Sequence, residues 1–282
     1  MKKQQWILIL GGVLLIAIFY FGTSSDTPKS NTTAAPATQD SHNHSVTTED
    51  LLAKAKQRIS QEQVQRLALL EQAVVRGDVK DQQIHVYHQL ARFWSDSARI
   101  FEPYAYYSSE AAKLENSEKS LTFAAQLFLE NLLTEADPAM QHWLGENAKD
   151  LLDKALVINP ANDSSKIGLG ICYMFGNISD NPMQGILEVR KVVQEHPENL
   201  YGQMVLGMGG KKSGQYDKAI ERFNIVLQKQ PDNLEAIFNL AECYELKGDK
   251  AGAIKWYQRA KELVKVPEAK TALDKRISEL RK

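Results

Sequence analysis

The sequence predicts an all-α protein built from stacked helix pairs. Helix-like runs end in the same tripeptide pattern at Pro160-Ala161-Asn162, Pro197-Glu198-Asn199 and Pro231-Asp232-Asn233. Apolar residues precede each proline at matching offsets, and an earlier helix with its own recurring pattern leads into each run. A unit that recurs in this way buries its apolar face only by stacking on copies of itself, which leaves an extended surface suited to holding another macromolecule.

Val226, Phe223 and Ala219 lie five, eight and twelve residues before Pro231, on one face of a helix. The same offsets select Val192, Val189 and Gly185 before Pro197, and Ala155, Leu152 and Ala148 before Pro160. One repeat later they select Ala253, Tyr257 and Ala260, but place a proline at Lys265, whereas the chain has Pro267. The preceding helices carry an apolar residue and a small one, then usually an aromatic: Leu169-Gly170 with Tyr173, Leu206-Gly207 with Gly210, Leu240-Ala241 with Tyr244. The small residue allows close approach of the paired helices. Gly214 and Gly248 stand where the chain turns between them, and glycine tolerates the left-handed backbone that ends a helix. Proline stops the second helix by disfavouring helical geometry in the residue before it.

With a 34-residue spacing from Leu206 to Leu240 and these small, aromatic and proline positions, the chain resembles the tetratricopeptide repeat (TPR) family. The resemblance implies an all-α, TPR-type solenoid, a right-handed superhelix of helix pairs. It is close over repeats at about 200–233 and 234–266. A third, at about 163–199, carries three extra residues around Gly176 to Pro182, which predicts a longer loop. Looser repeats are expected at about 118–162, with added helix from Glu130 to Trp143, and at about 84–117, with Leu90-Ala91 and Trp94 leading to Ala105, Ser109 and Ala112. Residues 48–76 read as one amphipathic helix. Residues 267–282 read as a charged capping helix, so 48–282 forms the repeat domain.

The first 22 residues differ in kind: Lys2 and Lys3 precede an uncharged apolar stretch from Trp6 to Gly22. Its seventeen residues reach the minimum of about 17 that spans a bilayer core. The basic start puts the amino terminus in the cytoplasm and exports the repeats, with residues 6–22 as a single-pass anchor; the resemblance, which extends to membrane-anchored bacterial TPR proteins, implies that the membrane is the inner one and the carboxyl-terminal domain periplasmic. A cleaved signal peptide, releasing a soluble periplasmic protein, stands as the alternative. Residues 23–47, rich in Ser, Thr, Asn, Pro and Ala, read as a disordered linker.

A net charge of -1 gives no electrostatic reason to expect nucleic acid. Cys172 and Cys243 sit two repeats apart, too far to pair, and read as small core residues. Gly207 to Gly214 superficially suggests a phosphate loop, but Val205 and Lys212 stand where that motif needs glycine and a hydroxyl residue. His85 and His88 share a helix face without convergent partners, and no nucleophile elbow or hydrolase signature occurs. The expectation is therefore no enzyme, no cofactor and no metal site.

In the family, the first helix of each pair lines the concave face. The resemblance transfers that role to Ile167, Ile171, Met174 and Phe175, then Tyr201, Met204, Met208, Lys211 and Lys212, then Phe238, Glu242 and Glu245. Apolar side chains there would form a groove for a peptide or protein partner, unless neighbouring helices or residues 48–76 cover them. The resulting expectation is a membrane-tethered adaptor or assembly factor of the cell envelope. The alternatives are a self-associating scaffold of a membrane complex, acting as a homo-oligomer, and an accessory factor in cytochrome maturation or outer-membrane assembly.

Overall fold

Proline, asparagine and glycine punctuate a chain that is otherwise helical in its computed structural model, which describes residues 46–76 and 79–282. The apolar stretch 6–22 and nearly all of the linker lie outside these residues. No described helix is long and apolar enough to cross a membrane. Among the described residues there are thirteen α-helices and no strand. Two short-range helices come first, α1 (Thr48–Lys56) and α2 (Gln61–Arg76). Then come α3 (Lys80–Arg92), a π-helical turn (Phe93–Ala98), α4 (Phe101–Glu115), α5 (Glu118–Leu132) and α6 (Pro138–Ile158). After these follow α7 (Asp163–Phe175), α8 (Met183–Glu195), α9 (Leu200–Lys212) and α10 (Tyr216–Lys229). The chain closes with α11 (Leu234–Leu246), α12 (Lys250–Leu263) and α13 (Pro267–Leu280). The described residues form two compact units, one ending at Gly202 and one running from Gln203 to Lys282.

The Pro-x-Asn pattern has two functions. Asn159, His196 and Gln230, each just before a proline, share one conformation, φ near -130° and ψ near 80° (-132°/88°, -129°/78°, -131°/77°), outside the helical region. The asparagine two residues after the proline then caps the next helix. Asn162 Oδ1 accepts from Ser165 N–H at 2.9 Å, Asn199 Oδ1 from Gly202 N–H at 3.0 Å, and Asn233 Oδ1 from Ala236 N–H at 2.9 Å. Stop and start are thus encoded within three residues. Replacing Asn233 by alanine is expected to cost about 1 kcal/mol, read as a lower urea midpoint with an unchanged slope.

Within pairs, Gly214 and Gly248 take φ of 73° and 81°. Around them Gln215 N–H donates to Gly210 O (2.8 Å) and Gly214 N–H to Lys211 O (3.1 Å), with the same two bonds recurring from Asp249 to Tyr244 and Gly248 to Glu245. These are Schellman ends, which satisfy the last carbonyls of the first helix. Gly170 and Gly207 lie at helix crossings: a Cβ on Gly170 would stand 2.3 Å from Val189 Cγ2, and one on Gly207 2.5 Å from the Phe223 ring. Close approach therefore requires the small residue.

The structure corrects several boundaries. Residues 48–76 are two helices, because Ser60 starts a second one: Ser60 N–H donates to Gln63 Oε1 (2.9 Å) and Gln63 N–H to Ser60 Oγ (3.3 Å), a capping box. Pro267 is not a late stop. It occupies the first turn of α13, where its missing N–H has no intrahelical role, and Val264 to Val266 make the connection. The added helix in 118–162 is the amino-terminal extension of α6, beginning at Pro138. It meets the long loop after α7: a Cβ on Gly145 would lie 2.8 Å from Gly176 Cα, and a His142 ring nitrogen donates to Asn177 O at 3.1 Å. The two departures from the regular repeat are therefore packed on each other.

In the amino-terminal unit, Leu90, Phe93 and Trp94 enter a cluster with Leu67, Ile100 and Tyr107. The π-helical turn lets the adjacent Phe93 and Trp94 both face inward, with their rings edge-to-face at 5.2 Å. In the carboxyl-terminal unit, Ala219, Phe223 and Val226 pack with Ile237, Leu240, Ala253 and Tyr257, and α13 adds Ala269, Leu273 and Ile277.

Candidate functional site

The residues transferred from the family divide sharply once packing is considered. In the amino-terminal unit, α7 packs on α5, α6 and α8 together. Ile167 and Ile171 are consequently fully buried and Met174 is 5% exposed, so these three are core residues and not groove lining. Phe175 and Tyr201 are partly buried. In the carboxyl-terminal unit Met204 is also buried, within the cluster around Phe223 and Ile237.

What remains open in this unit is a smaller patch on α9 and α11. Met208 and Phe238 are partly exposed and rest against the core cluster. Lys211 lies one turn after Met208, and its ammonium donates to Asn239 Oδ1 and Glu242 Oε2, each at 2.5 Å. Asn239 in turn donates from Nδ2 to Glu235 O at 2.9 Å, which uses both ends of an amide only 8% exposed. Lys211 and Glu242 thus form a partly buried, charge-compensated link between the two first helices, not a free cation and a free anion. Lys212 is exposed, and partial desolvation of its amine holds it below the ordinary lysine range.

Glu245 is likewise structural. It accepts from Tyr257 Oη at 2.9 Å and from Arg276 Nε at 3.1 Å, with a second guanidinium contact through Nη2. This bidentate pair fastens α13 to α11. Arg276 lies 31 residues from Glu245, and no spacing rule links such positions in sequence. Gln203 is a further buried polar anchor, accepting from Arg222 Nη1 at 2.9 Å.

The two cysteines are buried and free. Burial, with Asp153 adding to it, pushes the Cys172 thiol up to about 12. Burial also dominates at Cys243, raised to about 11, where Lys211 opposes the shift and Glu242 adds to it. A thiol with a raised pKa in the native state favours folding fully below its unfolded value near 9.0, and that contribution is lost as pH rises through 11 to 12. At pH 8 both cysteines are therefore expected to resist a thiol reagent in the native protein and to react together with unfolding, as followed by a stopped-time alkylation assay. Rapid modification of either one in buffer would contradict this.

The remaining polar candidates do not converge. His88 Nε2 pairs with Glu115 at 2.6 Å, while His85 Nε2 meets Gln89 at 3.1 Å. Among the described residues no three His, Cys, Asp or Glu side chains are placed to hold a metal ion. Gly207 to Gly210 lie inside α9, so the glycines serve packing and not a phosphate-binding loop.

Residues 211–269 match the family model described as tetratricopeptide repeat. No curated protein is significantly similar to the chain. Among solved structures, a tetratricopeptide repeat protein from Parabacteroides merdae is 15% identical, with a TM-score of 0.54 over 83% of this chain and 86% of that one. MamA is 19% identical, with a TM-score of 0.42 over 64% of this chain and 91% of that one. YrrB, a TPR protein described as having an unusual peptide-binding site, is 17% identical, with a TM-score of 0.42 over 73% and 97%. The carboxyl-terminal helix pairs over residues 211–269, with their glycine-led turns, proline stops and family match, are tetratricopeptide repeats.

Proposed function

We propose that this protein is a membrane-tethered adaptor, whose TPR domain is exported and binds a protein or peptide segment across α9 and α11. The observation that carries the reading is the placement of Met208 and Phe238: two large apolar side chains stay partly exposed on first helices, inside or beside the matched repeats. Water contact with such groups is unfavourable, and a partner's apolar side chains relieve it. The neutralised Lys211–Glu242 pair between the helices suits an uncharged or mixed-charge segment better than a strongly acidic one. Tethering rests on the apolar stretch Trp6 to Gly22 and the two lysines before it.

A photoreactive amino acid placed at Met208 or Phe238 of the full chain in its native membrane is expected to yield one discrete adduct. The same group at the exposed second-helix positions Gln228 and Lys255 should not. Met208→Glu and Phe238→Glu should each weaken capture about tenfold or more while leaving far-ultraviolet circular dichroism unchanged. Equal adducts from all four positions, or undiminished capture by both variants, would reject the patch. A compartment-sensitive reporter fused after Lys282 tests export independently.

A further inference from the structure

In the amino-terminal unit, α1 packs on α4 and reaches the extended start of α6. This helix has the construction of a short bound ligand. Its own Thr47 caps it, accepting from Asp50 N–H at 3.1 Å, and acidic Glu49 and Asp50 open it while Lys54 and Lys56 close it, in keeping with the helix dipole. Thr48, Leu52 and Ala55 fall on one face. Thr48 Oγ1 accepts the indole N–H of Trp143 at 2.9 Å, and Leu52 and Ala55 enter the aromatic cluster of Tyr106 and Tyr107 as α1 packs on α4. Lys56 pairs with Glu71 at 2.8 Å.

The attachment is slight for a helix of this fold. Ala55 is its single buried residue, against six in α4 and seven in α7. A nine-residue helix does not persist alone in water, so α1 folds by docking. Its departure would not unravel its neighbours. The capping box of Ser60 and Gln63 starts α2 independently, and Trp143 is held by the Phe128 ring at 5.4 Å whether or not Thr48 is present.

We propose that α1 is an exchangeable resident of a helix-docking surface formed by α4, the extended start of α6 and Glu71 of α2. The surface fits a partner's short amphipathic helix of the same pattern: a hydroxyl residue for the Trp143 indole, a leucine one turn on, a small residue at the next turn, and a terminal lysine or arginine for Glu71. The patch on α9 and α11 plays no part in this inference. Because α1 follows the linker directly in sequence, a partner that displaces it also lengthens the connection to the anchor proposed at residues 6–22.

The test uses a fluorescent peptide of residues 46–58 and the full chain in detergent micelles. The double variant Leu52→Asp/Ala55→Asp, which releases α1, is expected to bind the peptide at least about tenfold more tightly than the wild type, whose own helix competes. The peptide bearing the same two aspartates should not bind. Hydrogen exchange should rise over residues 48–56 and stay unchanged over α4 to α6. No binding by a folded double variant, or equal binding by both chains, would overturn the proposal. Should the double variant unfold α4, Thr48→Val decides: it removes the acceptor of Trp143 alone, and several-fold stronger peptide capture supports exchange, whereas capture at the wild-type level refutes it.

Discussion

Replacing Gly185 by alanine is expected to destabilise α7 and α8 by about 2–3 kcal/mol, against the usual benefit of alanine in a helix interior. That benefit is about 1 kcal/mol. The new Cβ would stand 2.4 Å from Gly170 O, 2.9 Å from Tyr173 Cβ and 3.1 Å from Met174 Cγ. The first of these is a backbone carbonyl that already belongs to a helix, so it cannot rotate away, and the two helices must separate along their whole contact. Gly210→Ala is the matched comparison. Its nearest neighbour, Ala219 Cβ, is 3.3 Å from the added carbon, so propensity and crowding roughly cancel and the change stays within about 1 kcal/mol. Because repeat proteins can unfold piecewise, the readout is amide exchange over residues 163–195 as well as the urea midpoint. A stabilised Gly185→Ala protein would show that the crossing is looser than described.

Phe223→Ala should be costlier still, about 3–5 kcal/mol. Phe223 is fully buried, and it packs in the cluster that joins Val226, Ile237, Leu240 and Tyr257. Removing the ring opens a cavity that the surrounding helices fill poorly. The ring also explains the glycine opposite it, since a Cβ on Gly207 would lie 2.5–2.9 Å from three ring carbons. A double-mutant cycle therefore has a predicted sign. Gly207→Ala should be harmful with phenylalanine present and far less harmful, or helpful, once Phe223 is alanine, giving a coupling of about 1 kcal/mol or more. Additive effects would mean that the two positions do not touch.

The features legible in sequence are those whose physics is local or strictly periodic. The offsets before each proline selected Ala219, Phe223 and Val226, and all three are buried. The small residues Gly170 and Gly207 were readable as close-approach positions, and the glycines at 214 and 248 as turns. The Asn of each Pro-x-Asn, two residues after a helix stop, is a recognisable cap. Ser60 with Gln63 is a readable capping box too, and it divides α1 from α2. The groove assignment was much less legible. Ile167, Ile171, Met174 and Met204 fit the spacing of lining residues but are core, Lys211 and Glu242 bond to each other, and Glu245 bonds to Tyr257 and Arg276. On an interior repeat, an apolar stripe on the first helix has the same spacing whether it meets solvent or the preceding pair.

Local chemistry alone thus set where helices stop, how the next one is capped and where two backbones must touch, because proline's missing donor, the asparagine side-chain oxygen and an absent Cβ act within a few residues or at one contact. Which faces stay open was settled only by packing between segments far apart in the chain. Burial at Ile171 depends on α5, α6 and α8 arriving around it, and Glu245 meets Arg276 only because α13, packed on α12, carries the guanidinium to α11.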